Sequence, residues 1–225
     1  MKKIIKFYKS NKIISNFFFV AFICTISYIL TLDKPEIKPG IEKWYNLLFQ
    51  LSVGYIINFF FYVTQVYLPE EKRMSSINKC IFKKLETLSH DMIDPFNYMS
   101  ELYLDKSKNI FTEEQIRLMW DKLNLNDNLS RLHSLTFKPF KFRELFLDDM
   151  HRIVSTKDTI FLYYSSYLTD DLISILEEIT DSNYFKIMEA ICSIPTNSIN
   201  PELSKYLIEF YNLYIKLNKI KESYK

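Results

Sequence analysis

The pattern of apolar and polar positions changes after the first third of the chain. Two segments without a charged residue, 13–32 and 44–68, lie in this first third, and the second runs directly into Pro69-Glu70-Glu71-Lys72-Arg73. A helix of about 20 residues crosses a hydrocarbon core of about 30 Å. The pattern therefore predicts two membrane-spanning helices, of which the second ends at a charged stop signal.

The first apolar segment has a second interpretation, that of a cleaved signal peptide. Against this interpretation, the segment is longer than the usual apolar region of a signal peptide. It also ends in Thr31-Leu32-Asp33-Lys34-Pro35, which contains no pair of small residues at cleavage-site spacing. We therefore expect a retained hairpin over residues 13–68.

From residue 69 onward, apolar residues recur at the three- and four-residue spacing of amphipathic helices. Pro95 is expected to end the first of them, and 159–168 is interpreted as a buried helix because no partner strand is evident. Start signals stand at Thr112, at Thr169 or Asp170, and at Asn200. The predicted helical segments are 77–92, 96–104, 112–123, 129–135, 142–154, 159–168, 172–179, 184–191 and the stretch from Asn200 onward. The predicted fold is all-α, a transmembrane hairpin followed by a helical bundle.

The last helix carries apolar residues at heptad spacing, and two interpretations are open. The extra apolar positions that widen the stripe, such as Leu207 and Tyr211, favour a core helix. A narrower stripe would instead form an oligomer seam between helices. The candidate seam residues are Leu203, Phe210, Leu213, Leu217 and Ile220.

Charge is distributed unevenly and predicts the topology of the hairpin. Residues 1–75 hold ten Lys/Arg and five Asp/Glu, whereas 76–225 hold nineteen and twenty-two. The arm 1–12 and the segment 72–84 each carry five basic residues, and the loop 33–43 balances three lysines against three acids. By the positive-inside rule, both termini and the domain 69–225 are expected in the cytoplasm of a bacterium, with the loop outside the inner membrane.

The composition argues against several function classes. Residues 76–225 contain no glycine, which removes the usual phosphate-binding loops and nucleophile turns, and this part lacks the basic excess of nucleic-acid binding proteins. The isolated histidines His90, His133 and His151 show no metal-binding spacing, and the three cysteines form no pair motif. We therefore expect no enzyme activity, no cofactor and no direct nucleic-acid binding.

Polar residues in the second span fall on one side of the helix. Gln50, Gly54, Asn58 and Gln65 lie within about 80° of one another at 100° per residue. In the first span, Asn16, Cys24, Ser27 and Thr31 cluster in the same way. Such a face is either a helix–helix seam or the lining of a polar pathway in an oligomer. We call the four residues of the second span the polar face.

One short stretch resembles a phosphotransfer motif. Leu88 to Phe96, LSHDMIDPF, resembles the H-box of sensor histidine kinases. The resemblance implies that His90 is a phosphoacceptor and Asp91 its base. Ile93 and Asp94 replace the usual basic and small polar residues, and no glycine-rich ATP-binding domain follows, so a separate kinase would have to supply the phosphate.

The whole layout resembles another group of proteins. A lysine-rich arm, a hairpin whose aromatic second span ends QVYLPEEKR, and a helical domain without enzyme motifs resemble the small two-span effectors of bacterial anti-phage systems such as retrons. This resemblance implies an oligomeric effector that a cytosolic protein partner restrains and that disrupts the lipid bilayer once released. The alternative is a membrane-tethered binding or scaffold module without pore activity.

Overall fold

The structure is a computed structural model that describes residues 2–32, 40–104, 110–132, 138–194 and 200–225. It divides into two compact units, Met1–Ser75 and Ser76–Lys225. Apart from one short two-stranded sheet, the secondary structure of the described residues is helical. The all-α prediction is therefore confirmed at the level of fold class.

The first unit consists of long apolar helices preceded by a short basic one. The predicted arm forms α1, Lys2–Ser10, followed by α2, Lys12–Thr31, and α3, Ile41–Tyr62. Gly40, with φ of 89°, precedes α3 in a conformation that suits glycine. A π-helical turn, Val63–Tyr67, follows α3. Of the predicted outside loop, residues 33–39 lie outside the described residues.

Two helices of the structure are long and apolar enough to cross a membrane. The first is α2, with a mean hydropathy of 2.2, and the second lies in the helical run Ile41–Leu104, with a mean hydropathy of 1.6. Buried residues make up 11% of the most apolar window of the first helix and 0% of that of the second. A core helix of a soluble domain would bury such a window, so these apolar side chains are left on the outside of the unit.

Aromatic side chains hold α2 and α3 together. Phe18 stacks on Phe59 and Tyr28 stacks on Phe49, each with ring centroids 4.2 Å apart. These pairs run in opposite directions along the two helices, so the packing is antiparallel. The Tyr55 hydroxyl donates to the Ile14 carbonyl at 2.9 Å, across the same contact. We call Phe18, Tyr28, Phe49 and Phe59 the aromatic seam.

The second unit is a helical bundle around one apolar core. Its longest helix, α4, spans Leu68–Leu104 and begins in the first unit. The remaining elements are α5 (Glu113–Lys122), β1 (Asn128–Leu132), β2 (Pro139–Lys141), α6 (Phe142–Tyr164), α7 (Asp170–Asp181), α8 (Asn183–Ser193) and α9 (Ser204–Lys221). Short 3₁₀ turns cover Ser165–Tyr167, Pro201–Leu203 and Glu222–Tyr224.

Both α6 and α9 run antiparallel to α4. Ser89 of α4 hydrogen-bonds Asn218 of α9, while Phe96, further along α4, packs on Tyr211, earlier in α9. On the other helix, Arg152 pairs with Asp91 and Tyr164 lies against Cys80. The carboxyl ends of α6 and α9 therefore lie at the end of the bundle where α4 enters it.

The predicted helix starts in the second unit are present. Thr112 and Gln115 form a reciprocal capping box at the start of α5, and the Thr169 hydroxyl accepts from the Leu172 amide at the start of α7. The Asn200 side chain accepts from the Glu202 amide before the 3₁₀ turn that leads into α9. The sequence predicts these helix starts correctly because side-chain capping depends on only a few neighbouring residues.

The predicted break at Pro95 is wrong. Helix α4 continues through Pro95 to Leu104, so segments that were predicted as two helices form one. A proline inside a helix costs roughly 3 kcal/mol. Here Pro95 is buried between Ile93 and Phe96, which are core residues. The continuous apolar face of α4 offsets the local cost by tertiary packing.

A second local prediction is also wrong, and a third is correct only in part. The stretch that begins at Leu129 forms β1, paired antiparallel with β2 in the register Asn128 to Lys141 and Leu132 to Pro139. The ten residues 129–138 are too few for a stable helix, whereas pairing with β2 satisfies the backbone hydrogen bonds of β1. Leu135 lies outside the described residues. The segment 159–168 is helical up to Tyr164, as predicted, but it continues α6 instead of forming a separate helix, and Leu162 and Tyr163 are exposed while Ile160 is buried.

Candidate functional site

The polar face lies on the side of α3 that is opposite to the aromatic seam. Taking 100° per residue, Gln50, Gly54 and Asn58 are centred about 180° away from Tyr45, Phe49, Ser52 and Phe59. Phe49 and Phe59 stack on α2, and Ser52 is buried. The contact within the hairpin is therefore aromatic, and the polar face is not the seam between α2 and α3 of one chain.

The amides of this face are exposed in the single chain. Gln50 and Asn58 are both exposed, and Gln50 Nε2 lies 3.5 Å from Asn46 Oδ1 one turn earlier. Gly54 lies between them, and a Cβ added to it would meet nothing within 4 Å. The face is thus a shallow polar strip with its smallest residue at the centre, a composition that allows another helix to approach closely.

Gln65 is separated from the other three residues by a change of helix type. It lies in the π-helical turn Val63–Tyr67, where the Leu68 amide donates to the Val63 carbonyl. Each residue of this wider turn rotates the chain about the helix axis by less than the 100° of an α-helix. The angular position that the sequence predicts for Gln65 therefore does not hold. Gln65 is exposed, but its alignment with Gln50, Gly54 and Asn58 is looser than the sequence predicts.

The polar residues of α2 divide into two groups. Asn16 is exposed, and its Oδ1 accepts from the Tyr8 hydroxyl of α1 at 3.1 Å. Thr31, which is half-buried, donates to the Ser27 carbonyl at 2.8 Å and is thereby satisfied within its own helix. The main exposed amides beyond the aromatic seam are therefore those of α3.

The candidate oligomer seam of α9 lies in the core of the second unit. Phe210 and Leu217 are completely buried, and Leu203, Leu213 and Ile220 pack against the core. Phe210 stacks on Tyr184 with ring centroids 4.0 Å apart. Of the two interpretations of the heptad pattern, the packing within one chain matches the core helix, and Phe210 and Leu217 offer no surface for a seam.

His90 and Asp91, the pair suggested by the H-box resemblance, point to different surroundings. The His90 side chain is 70% exposed and its Nε2 lies 3.5 Å from Asp94 Oδ1. The Asp91 side chain is only 6% exposed, and its Oδ1 lies 3.2 Å from Arg152 Nε. An acid that pairs with the half-buried Arg152 is not placed to act as the base of an exposed histidine. The nearer carboxylate is that of Asp94.

The structure reveals a charged cluster that the sequence did not predict. Arg152 of α6 contacts Asp91 and Asp94 of α4 and, on its own helix, Asp148 and Asp149. Burial raises the pKa of Asp91, an effect that Arg152 opposes and Asp94 reinforces. Burial disfavours the charged form of Arg152, but Asp149, Asp91, Asp148 and Asp94 together raise its pKa. The signal for this cluster in the sequence was the spacing Asp148-Asp149-x-x-Arg152, which places both acids one helical turn before the arginine.

This cluster has the geometry of a structural ion network rather than of a metal site. The described residues contain no group of three or more His, Cys, Asp or Glu side chains that could hold a metal ion. Of the histidines, His151 is exposed and His133 lies outside the described residues. Cys192 is buried, and burial raises the pKa of its thiol to about 11. A thiol with that pKa is a poor nucleophile at neutral pH.

The second unit also has an open groove between α9 and the α7–α8 pair. Its volume is about 790 Å³, and it is lined by Glu178, Asp181, Asn212, Leu213 and Lys216 among other residues. Lys216 Nζ lies 3.5 Å from Glu178 Oε2 across it. Mixed charge around two half-buried apolar side chains, those of Leu213 and Ile215, is typical of a protein-contact surface more than of a small-molecule pocket.

Comparison of the chain with models of protein families, with curated proteins and with solved structures gives no match.

Proposed function

We propose that the chain is an integral protein of a bacterial inner membrane and that its hairpins associate through the polar face of α3. The observation that carries the proposal is the position of this face, opposite to the aromatic seam and exposed in the single chain. In this proposal α2 and the apolar part of α3 span the bilayer, and both termini lie in the cytoplasm. The unit Ser76–Lys225 is then cytosolic.

The energetics of an amide in hydrocarbon favour self-association. Gln50 and Asn58 would face acyl chains that offer neither donor nor acceptor, and each unsatisfied polar group there costs several kcal/mol. In a second copy the same residues supply complementary donors and acceptors, worth about 0.6–2 kcal/mol for each interhelical hydrogen bond. Gly54 brings the two backbones close enough for those bonds to form. A homo-oligomer therefore satisfies groups that a single hairpin leaves to the lipid.

The function that we propose is that of a non-enzymatic effector, acting in anti-phage defence, whose assembly disrupts the membrane. When the hairpins reassemble, the polar face comes to line a path for water or ions, since several amide side chains meet there. The cytosolic unit would control this step through a protein partner that restrains or triggers it. The resemblance to two-span effectors of retron-type systems supports this proposal together with the exposed amides.

The test is membrane potential, measured with a voltage-sensitive dye in bacteria during the minutes after the full-length chain is induced. We expect prompt depolarisation by the parent chain and a steady potential with the Gln50→Leu/Asn58→Leu variant at equal membrane insertion. Thr64→Val is the matched control, because the Thr64 hydroxyl already donates to the Phe60 carbonyl at 2.9 Å. Depolarisation that is unchanged in the double variant would contradict the proposal.

The groove beside α9 supports a second candidate function, a membrane-tethered binding or scaffold module. In that case the hairpin only anchors the chain, and the full-length protein leaves the potential steady under every condition. A Leu213→Arg substitution would then abolish partner binding, since Leu213 is one of the two apolar residues, with Ile215, that line the groove. Partner binding that survives Leu213→Arg would contradict the groove as its site.

Phosphotransfer to His90 is the remaining alternative. The exposure of His90 and its proximity to Asp94 would allow a separate kinase to reach it. His90→Ala is the direct test: loss of function together with loss of acid-labile phosphate would support this role, and a variant with unchanged behaviour would remove it.

A further inference from the structure

A strip of acidic side chains runs along the outer side of α7. This helix, Asp170–Asp181, contains five acidic residues and no basic one, and all five are exposed. At about 100° per residue, they lie on the side of α7 opposite to its four buried residues, which face the core. We call Asp170, Asp171, Glu177, Glu178 and Asp181 the acidic strip.

The needs of α7 itself do not explain the whole acidic strip. Asp170 and Asp171 lie in the first turn, where negative charge is favourable to a helix. Glu178 and Asp181 lie in the last turn, where negative charge is unfavourable. Lys216 of α9 pairs with Glu178, and in the part of the chain that the structure describes the other four acids form no ion pair. Most of this charge is therefore open to a basic partner.

A basic strip lies on the outer side of α4. Lys79, Lys83 and Lys84 are exposed, and no acidic residue lies between them. Lys79 and Lys83 are on the side of the helix opposite to the buried Leu88, and Lys84 flanks them. None of the three forms an ion pair with another described residue. The first acid to follow is Glu86. We call the three lysines the basic strip.

The two strips meet the same end of the bundle. The Thr169 amide, just before α7, donates to the Tyr224 hydroxyl at 3.0 Å. Tyr224 comes six residues after Asn218, which hydrogen-bonds Ser89 of α4. Because α9 runs antiparallel to α4, Tyr224 is level with the α4 residues about six positions before Ser89, where the basic strip lies. The first turn of α7 is therefore level with the lysines.

The strips face in opposite directions. Helix α6 contacts α4 through Arg152 and α7 through Lys157. Helix α9 contacts α4 through Asn218 and α7 through Lys216. Two helices that both pack against one pair lie on opposite sides of that pair, as in a four-helix arrangement around one core. Each strip is turned away from the core, so one side of the second unit is basic and the opposite side is acidic.

We propose that the acidic strip of one copy binds the basic strip of a second copy, joining second units side by side and head to tail. The occupant is another copy because the two strips complement each other in charge, whereas either strip would repel itself. Such a heterologous contact closes a ring or continues as a filament. Because the strips are level, successive copies keep the same direction, as a ring requires. The contact uses the second unit alone and is separate from the polar face of α3.

The test is crosslinking of the purified full chain in neutral detergent, with Ser174→Cys in a Cys24→Ala background. Position 174 is exposed on α7 among the acids, and Cys80 is exposed on α4 among the lysines. A short bis-maleimide should join position 174 of one copy to Cys80 of the next. Cys192 is buried, so it is not expected to react. The two thiols of one copy lie on opposite sides of the bundle and should not be joined to each other.

We expect a ladder of products above the dimer from the chain with both thiols. The same chain without Ser174→Cys has one reactive thiol and should stop at the dimer. The ladder should weaken as salt is added, because the Debye length falls from about 10 Å at 0.1 M salt to about 3 Å at 1 M.

Charge reversal identifies the residues that carry the contact. Lys83→Glu/Lys84→Glu and Asp170→Lys/Asp171→Lys should each lower the yield of products above the dimer about tenfold, because attractive pairs become repulsive. Both reversals in one chain should restore the yield. A mixture of the two singly reversed chains should also restore it, since each then meets a partner of opposite charge.

Glu113→Lys/Glu114→Lys is the matched control. These exposed acids also occupy the first turn of a helix with a threonine cap, so their reversal has the same local cost but should leave the ladder unchanged. A ladder that neither strip reversal weakens would overturn the inference, as would a loss that the combined reversals do not restore. Products that stop at the dimer despite two thiols would also overturn it, since a contact of one surface with itself gives that result.

The Gln50→Leu/Asn58→Leu background separates this contact from association through the polar face. The ladder should persist there, because both strips lie in the second unit. A ladder that disappears in that background would overturn a contact made by the second unit alone, whereas the depolarisation assay tests the polar face by a different result.

Discussion

The two units of this chain use the same kinds of apolar residues in opposite ways. In the first unit, phenylalanines such as Phe60 and Phe61 are more than half exposed, and 0% of the most apolar window of the second candidate span is buried. In the second unit, Phe96, Phe142 and Phe210 are completely buried. Under the proposed membrane insertion, the difference is one of solvent: the apolar side chains of the second unit must be hidden from water, whereas lipid would cover those of the first.

The polar residues show the reverse arrangement. Exposed amides lie on the outside of α3, whereas the main charged network of the second unit turns inward around Arg152. A buried ion network is tolerated when the charges are paired, and an exposed amide in lipid is tolerated when another helix satisfies it. The comparison teaches that burial must be judged against the medium, and four predictions test it.

The largest expected effect follows from truncating one phenylalanine in each unit. Phe210→Ala should lower the free energy of unfolding of the second unit by about 4 kcal/mol, because it empties a completely buried site. Phe61→Ala, at a position that is 65% exposed, should leave that free energy unchanged. Urea unfolding of the full chain in detergent, followed by Trp120 fluorescence in a Trp44→Phe background, measures both. Equal losses would break the comparison.

The second prediction concerns Arg152. Arg152→Leu should destabilise the second unit by about 3 kcal/mol, because it leaves the buried carboxylates of Asp91 and Asp149 without their cation. Arg117→Leu, at an exposed position of α5, is the control and should cost less than about 0.5 kcal/mol. The same urea assay measures both variants, and a neutral Arg152→Leu variant would show that the network does not stabilise the bundle.

The third prediction returns to the first unit. Gly54→Leu should weaken self-association of the hairpins about tenfold, or about 1.4 kcal/mol, because the added side chain keeps two α3 helices apart. Within one chain the substitution meets open space, so the helix content should not change. Energy transfer between labelled copies in vesicles measures the association, with Thr64→Leu as the control. Unchanged association would place the contact between copies elsewhere.

The smallest effect is the pH dependence of Asp91. Burial raises the pKa of this carboxyl from its ordinary value of 3.8, so its contribution to stability is complete below pH 3.8 and is lost as the pH rises through the folded-state pKa. The stability of Asp91→Asn relative to the parent chain should therefore increase as the pH rises above 3.8. Asp121→Asn, at an exposed position, is the control, and parallel pH profiles for Asp91→Asn and the parent would contradict the expectation.

Features that depend on a few neighbouring residues were predictable from the sequence. The capping box at Thr112, the cap at Thr169 and the start at Asn200 each involve side chains within three residues, and the apolar character of α2 and α3 is a property of composition. The same holds for one face of α3, whose angle follows from residue spacing until the π-helical turn interrupts it.

Features that depend on distant contacts were not predictable. Pro95 does not end α4 because core packing outweighs its local cost, and Leu129 joins a strand because residues 139–141 are available to pair with it. The Arg152 network joins α4 to α6, and nothing in either segment alone specifies that these helices meet.

The opposite placement of the aromatic seam and the polar face on α3 has an evolutionary consequence. A mutation in the polar face leaves the stacked rings of the hairpin untouched, and a mutation in the seam leaves the amides untouched. Under the proposed association, selection can therefore alter how many copies meet, or how readily they do so, by single substitutions at positions 50, 54 and 58 that leave the stacked rings in place. Two traits that share one helix can in this way diverge independently between lineages.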